Sequence, residues 1–420
     1  MDRKTLVSKS VESVKPLSPV VKHLGWVSFF ADVASEMLYP VTPIFLRAVV
    51  GANMTQLGLI EGLAEALANL LKTPVGRWSD RLGQRKVFLF FGYLLSALAK
   101  PVLVLSQVWW QVFVSRSLDR LGKGLRTAPR DAWIADEVPP KERGRAFGLH
   151  RAMDTAGAVV GPLMALVILW LWPQLSLRYL YVVALIPGLV SVWLVWRLNE
   201  KKKAVSYVTW QKKEDLRDLS TPIIANESSH TSSTSRSVFL FLGLWFLFSL
   251  GNSSDAFLIV RLKEAGLSLT QVVLLYCAYN GVYATLSPFL GRLSDRLEKA
   301  KLLAGGLLIY VAVYTGFALT NQPVVLVTLL LLYGVYQAAT DGVSKALLAN
   351  LVSGERRGYY MGLHASITSM GMLLASLGGG WLWDRWGAQV TFGAGAFFAL
   401  VAAMGLWLFQ VAGAFAKPLK

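Results

Sequence analysis

The sequence predicts an all-α polytopic membrane protein of twelve transmembrane helices, arranged as two pseudo-symmetric six-helix bundles. Three observations predict it. The 420 residues are 54% hydrophobic and 16% charged, too apolar for a water-soluble chain of this size to cover itself with polar surface. Apolar stretches of about 20 residues, long enough to cross a hydrocarbon core of about 30 Å as a helix, recur along the whole chain. The two halves also repeat each other, GRWSDRL at 76–82 returning as GRLSDRL at 291–297.

The apolar runs fall near 24–46, 56–75, 87–106, 108–128, 151–172, 178–198, 237–258, 271–290, 302–320, 323–345, 364–383 and 390–413. They divide the chain into an N-terminal segment (1–22), a first bundle (23–198), a polar linker (199–236), a second bundle (237–414) and a short tail (415–420). The linker is first Lys-rich and then Ser/Thr-rich, the composition of a flexible connection. The first run is long, follows a basic segment and lacks a small-residue cleavage site, so it is expected to be retained.

A net charge of +17 raises the question of nucleic acid, but the basic residues sit at particular span ends instead of forming one stripe. Arg3, Lys4, Lys9, Lys15 and Lys22 precede span 1, and Arg77, Arg81, Arg85 and Lys86 follow span 2. Lys141, Arg143 and Arg145 follow span 4, and Lys201, Lys202, Lys203, Lys212, Lys213 and Arg217 follow span 6. The alternate loops carry little beyond Arg47, Arg178, Lys263 and Arg385. By the positive-inside rule both termini and the linker are expected in the cytoplasm, with the chain in the inner membrane and surrounded by lipid. Nucleic acid is not expected as a partner, and a monomer is. Cys277 is the single cysteine, so there is no disulfide framework and no thiolate metal cluster.

The internal repeat extends beyond the GR-x-SDRL pair. Gly51, Thr55 and Gln56 correspond to Gly266, Thr270 and Gln271, and GRAFGLH at 144–150 corresponds to GYYMGLH at 358–364, which makes His150 and His364 equivalent. Two parallel six-span repeats are one transporter plan, with the solute site between them near the midplane. GRWSDRLGQRK at 76–86 resembles the loop signature of the major facilitator superfamily, G-x-x-x-D-R-x-G-R-[KR]. It departs at Gln84, and the second copy has Glu298 where the later glycine would stand. The resemblance covers essentially the whole chain and implies a secondary transporter working by alternating access. It implies that Gly76, Asp80, Arg81, Gly83 and Arg85, with Asp295 and Arg296 of the second copy, form a gate that latches the cytoplasmic face. The plainer reading of the same residues is a topology signal.

Asp32 and Glu36 in span 1 are spaced i,i+4, which puts two carboxylates on one helical face at mid-membrane depth. Their repulsion favours a bound proton, so the pair is a candidate for proton coupling; a structural salt bridge to span 4 is the competing reading. In span 4, Arg116, Asp119, Arg120, Lys123, Arg126 and Arg130 recur at three- or four-residue steps, a stripe that cannot face lipid. Arg116 resembles the superfamily's span 4 arginine, linked to proton coupling, and Arg116 and Arg120 are expected in the cavity, against Asp32, Glu36 or an anionic solute group. Span 5 places His150, Asp154, Gly157 and Gly161 on one face, and Gly157, Gly161 and Pro162 resemble the front of the superfamily's antiporter motif. Leu163, Met164 and Ala165 replace its later glycines, so a plain packing motif is an equal reading. Glu61, Glu65 and Asn69 in span 2 and Lys100 in span 3 read as members of an internal charge network.

The second half offers Asn252 and Asp255 in span 7, Tyr279 and Asn280 in span 8, and Tyr336, Gln337 and Asp341 in span 10. Aromatic and amide groups of this kind suit an organic solute. Four histidines with no HExxH, no G-x-S-x-G and no P-loop give catalysis little support, and a receptor would not need a duplicated gate. No metal or other cofactor is expected. The partial antiporter motif favours proton-coupled efflux of an organic solute; the arginine stripe favours an anionic metabolite or a carboxylate-bearing chelator.

The orientation has a direct test. A reporter enzyme active only outside the cytoplasm, fused within residues 199–236, is expected to be silent, and activity at that position would reverse the topology.

Overall fold

The computed structural model describes residues 17–139, 142–200, 230–352 and 357–412. Residues 1–16 of the N-terminal segment, Lys141, most of the polar linker and the C-terminal tail lie outside the described residues. Within them are fourteen helices and no strand. They are α1 (Pro19–Glu36), α2 (Thr42–Ala48), α3 (Met54–Leu82), α4 (Lys86–Leu105), α5 (Trp109–Asp136), α6 (Arg143–Leu171) and α7 (Arg178–Arg197), then α8 (His230–Ser249), α9 (Ala256–Glu264), α10 (Leu269–Arg296), α11 (Lys299–Leu319), α12 (Pro323–Leu351), α13 (Arg357–Trp386) and α14 (Ala388–Val411). Spans 1 and 7 are each made of two helices, α1 with α2 and α8 with α9, and every other helix is one span, which makes twelve.

The two broken spans correct the expectation of continuous helices over 24–46 and 237–258. In span 1, Pro40 has no N–H to continue the helix and Pro43 restarts it at an N-terminal position. In span 7 the run Gly251, Asn252, Ser253, Ser254 and Asp255 offers short polar side chains that compete with helical hydrogen bonds. Freed backbone groups at membrane depth need partners. Tyr310 Oη donates to the Gly251 carbonyl at 2.8 Å, the Ser254 N–H donates to Ser376 Oγ at 3.1 Å, and Thr42 Oγ1 donates to the Leu38 carbonyl at 2.8 Å.

The repeated Gly-x3-Thr-Gln pattern is a pair of matching helix starts. Gly51 and Gly266 take positive φ (72° and 94°), and each is followed by a capping box, Asn53 with Gln56 and Ser268 with Gln271. At the other end of the same two helices the copies differ. α3 closes on Gly83 at φ 62°, a left-handed cap that a residue with a Cβ resists. Glu298 stands at the matching place with φ −65°, and there α10 ends in extended chain instead.

The surface is apolar. Trp170, Leu319, Val324, Ile186 and Trp196 are more than 60% exposed, while Arg116, Arg120, Arg126, Lys100 and Glu61 are buried. This is the distribution expected when lipid is the solvent. Seven of the helices are long and apolar enough to cross a membrane, those of spans 3, 5, 6, 8, 9, 10 and 12. Spans 1, 2, 4 and 7 fall below that level because they carry charges or a break, and span 11 because it is rich in Gly, Ser and Thr.

Between the bundles the packed pairs are α3 with α13, α6 with α10 and α2 with α9. The α3–α13 contact is close because the facing residues are small. A Cβ on Gly58 would collide with the Ser376 carbonyl, one on Gly380 with the Met54 carbonyl, and one on Gly62 would sit 3.1 Å from Leu373. Gly58 and Gly62 lie in the first three turns of α3 and Gly380 near the end of α13, the ends of those helices away from the linker. There Asp384, at the end of α13, accepts from the Met54 N–H (2.9 Å), the Thr55 N–H (2.8 Å) and Thr55 Oγ1 (2.6 Å), so a carboxylate of one bundle caps the positive helix terminus of the other. Arg47 meets Glu264 at 3.6 Å on the same face.

Asp384→Asn is expected to loosen this closed face. Losing a charge-assisted cap of about 1 kcal/mol would raise the population open on that side about fivefold. Spin labels replacing the exposed Val49 and Lys263 in a cysteine-free background would report it as longer distances, and an unchanged distance distribution would remove Asp384 from the closure.

Candidate functional site

A cavity of about 190 Å³ lies between the bundles and takes side chains from both. The first bundle contributes Tyr39 from the break in span 1, Glu61, Gly62 and Glu65 from α3, and Arg120 from α5. The second contributes Asn252, Ser254 and Asp255 from the break in span 7, Tyr333, Tyr336 and Gln337 from α12, and Met372 and Ser376 from α13. Both helix breaks therefore open onto the cavity, where irregular backbone at membrane depth is tolerated.

Of the residues expected to line it, Arg120, Asn252, Asp255, Tyr336 and Gln337 do so. Arg116 lies behind the wall: its Nε and Nη2 hold both oxygens of Glu61 at 3.0 and 2.7 Å, and both residues are buried. The expected pairing of Arg116 with Asp32 or Glu36 is replaced by this one, because Glu61 presents two oxygens to the planar guanidinium fork. Arg120 lies 3.8 Å from both Glu65 and Asp119, and its Nε has no hydrogen-bond partner. Glu65 accepts from Asn69, and Asn69 in turn accepts from Lys72. Lower on the stripe, Arg126 donates to Ser96 Oγ and lies over the Tyr93 ring, and Arg130 binds Asp131 and Ser28 Oγ. Lys100 is buried with its Nζ on the Ser96 carbonyl. The arginine stripe is thus engaged by the first bundle's own groups.

The carboxylates of span 1 part company. Asp32 lies beside Asp154 of α6, while Glu36, one turn along, turns to the other bundle. Gly157 brings them together, since a Cβ there would collide with the Phe29 carbonyl and lie 3.1 Å from the Asp32 Cβ. Gly161 packs the next turn of α6 on Val33 in the same manner, and Pro162 is buried within that helix. Two carboxylates this close repel each other when both are ionised, which favours a shared proton. Arg130 and Arg151 flank Asp154, Arg151 at 3.3 Å. Glu36 accepts from Tyr276 Oη of α10 at 2.8 Å, a hydrogen bond from one bundle to the other. None of Asp32, Glu36 and Asp154 lines the cavity.

Three other expected lining residues stand elsewhere. Tyr279 lies behind Asp255, donating to it at 2.9 Å. Asn280 turns back to the Tyr276 carbonyl of its own helix. Asp341 is half exposed toward the linker end, with Lys345 at 2.7 Å and Tyr283 at 3.0 Å. Glu61 and Glu65, assigned to an internal network, reach the cavity as well, as do Gly62 and Tyr333, while Tyr39, Ser254, Met372 and Ser376 join them without having been expected there. Tyr39 carries a signal, its place beside Pro40 at the break; Met372 and Ser376 carry none in one span's sequence.

The gate residues are spread along the linker end. Asp80 pairs with Arg85, which also reaches Ser79 Oγ at 3.0 Å and Asp136 at 3.7 Å; Gly76 faces Ala128 and Arg81 is exposed. These partners all belong to the first bundle. Asp295 binds Lys299 at 3.3 Å in the second bundle, and Arg296 is exposed. The equivalent histidines differ too. His150 Nε2 meets Ser28 Oγ at 2.8 Å, while His364 Nε2 has no partner and its ring stacks on Phe241 and Trp245.

A family model described as Major Facilitator Superfamily matches residues 24–278 and 240–418. An uncharacterized MFS-type transporter of Methanocaldococcus jannaschii is 32% identical over 405 residues, 95% of this chain and 96% of the relative. The multidrug resistance protein MdtH of Cronobacter sakazakii is 27% identical over 350 residues, 83% of this chain and 82% of that protein. Among solved structures, the peptide transporter POT in complex with sulfate superposes with a TM-score of 0.74 at 13% identity, over 100% of both chains, a likeness of fold.

Glu61→Ala would leave a buried guanidinium without its counter-ion, and a loss of about 3–5 kcal/mol in stability is expected. Thermal unfolding in detergent should show a clear drop, largely restored in Glu61→Ala/Arg116→Met. A single variant as stable as the parent would contradict the assigned pairing.

Proposed function

The chain belongs to the major facilitator superfamily, and from that premise we propose that it exports a small organic solute across the inner membrane in exchange for protons. The observation that carries the reading is the central cavity, built from both bundles and closed at the end away from the linker. With the linker in the cytoplasm, this is the state that faces inward, the side from which an exporter loads. Rocking the bundles about the cavity would break the Asp384 cap and the Arg47–Glu264 pair, and would bring the Asp80 loop against the second bundle.

Proton exchange is assigned to Asp32 and Asp154, whose close approach beside Gly157 favours a shared proton. Losing that proton would set two negative charges in contact, which flanking Arg130 and Arg151 can relieve only in part. Glu36 stands one turn along the same helix and bonds to the opposite bundle through Tyr276, so it would carry a change at Asp32 to the bundle interface. Export in particular is supported by the similarity to a protein named for multidrug resistance. Transport of an anionic metabolite is the weaker reading, because Arg116, Arg126 and Arg130 are committed within the first bundle and Arg120 lies between two carboxylates.

In proteoliposomes with an acid interior, a panel of fluorescent organic dyes is expected to include members that accumulate inside and leave when nigericin collapses the gradient. Asp32→Asn and Asp154→Asn are each expected to lower gradient-driven accumulation at least tenfold while dye binding persists. Full gradient dependence in both variants would exclude the pair as the coupling site.

A further inference from the structure

We propose that the cavity takes an organic cation with a small aromatic or apolar body, and that Asp255 is its counter-ion. The inference rests on the reading of this cavity as the solute site of a transporter.

Acidic groups of the cavity in the first bundle are answered by cations. Glu61 has Arg116, and Glu65 has Arg120. Asp255 is different. It stands at the break of span 7, immediately before α9, and its side chain does not cap that helix. Its partners are the hydroxyls of Tyr333 (2.6 Å) and Tyr279 (2.9 Å) and the amide of Gln337 (3.4 Å), all uncharged and all in its own bundle. No ion pair among the described residues includes it. Among the acidic side chains that line the cavity, Glu61 and Glu65 have a guanidinium partner and Asp255 has none. A carboxylate is costly at this depth, and hydroxyl and amide donors orient it without neutralising it.

Two further features select a cation. Three residues before Asp255, the buried Oδ1 of Asn252 has no hydrogen-bond partner, so an acceptor stands ready for an ammonium N–H on the same strand of unwound chain. Tyr39, Tyr333 and Tyr336 line the same space, and aromatic faces attract a desolvated cation. On the opposite wall the Arg120 guanidinium repels positive charge, which directs the ammonium toward Asp255. The volume of about 190 Å³ suits a single-ring amine.

The test is equilibrium binding to the purified full chain in nanodiscs at pH 7, by calorimetry, with three probes on one skeleton: phenethylammonium, the neutral 2-phenylethanol and the anionic 3-phenylpropionate. Phenethylammonium is expected to bind at least about tenfold more tightly than the other two, and Asp255→Asn to lose about tenfold of that affinity. Asp255→Asn should keep the parent's melting temperature, because one tyrosine hydroxyl can still donate to the amide oxygen while the other turns to accept from the amide N–H. Should that variant fail to fold, Tyr333→Phe with Gln337→Ala, which removes two of the carboxylate's three neutral donors, is expected to bind phenethylammonium at least as tightly as the parent. Equal affinity in Asp255→Asn, tighter binding of the neutral or anionic probe, or no binding of phenethylammonium to the parent would each overturn the proposal. Dye flux separates this from the transporter reading. Gradient-driven flux without Asp255-dependent cation binding sinks the counter-ion alone, and Asp255-dependent binding without flux sinks the transport reading alone.

Discussion

Everything in the first bundle answers to one constraint: a charge placed in the hydrocarbon slab must meet a partner of the right shape. The Arg116–Glu61 pair meets it with two hydrogen bonds in a fully buried setting, and it joins α5 to α3. The rest of the stripe follows the same logic one turn at a time. Arg120 leans on Glu65 and Asp119, Arg126 on Ser96 and Tyr93, and Arg130 on Asp131 and Ser28. Charges bound in this way set the register of three helices, and they leave the bundle able to move as one body.

The interface between bundles is built on the opposite principle. Small residues on α3 and α13 let two backbones touch, and among the described residues the attraction there is contact and a few hydrogen bonds with no buried ion pair. Such an interface can separate without stranding a charge in lipid. The cross-bundle ion pair, Arg47 with Glu264, is about one-third exposed, where water can replace either partner. Strong pairing inside one bundle and capping between bundles fits the alternating access proposed for the chain.

The duplication has been kept in its scaffold and altered in its chemistry. Both copies start spans 2 and 8 with a positive-φ glycine and a capping box, and both break their first span at mid-membrane. Yet the first copy concentrates paired charges while the second surrounds a single carboxylate with tyrosines. His150 has a hydroxyl partner and His364 has two aromatic faces. The loop glycine survives as Gly83 in a left-handed cap and is replaced by Glu298, and α10 ends in extended chain accordingly. One cavity wall is thus polar and locked, the other aromatic and anionic.

The sequence by itself determined the solvent, the number of spans, the two-fold repeat and the family resemblance, because each is written in local composition or in self-similarity. It also pointed to most of the charged residues, since a charge inside an apolar run is conspicuous in one dimension. Hydropathy even distinguished the spans: those falling short of a simple membrane helix, 1, 2, 4, 7 and 11, are charged, broken or packed at the bundle interface. What only the tertiary structure decided was pairing. Arg116 chose Glu61 over the carboxylates of span 1, Asp32 chose Asp154 over its own neighbour Glu36, and Asp384 found the start of a helix 329 residues away at Thr55. Periodicity tells which face of a helix a residue occupies, but partner choice depends on how helices cross. Those crossings are set by small residues such as Gly58, Gly157 and Gly380, whose partners are backbone atoms on other spans.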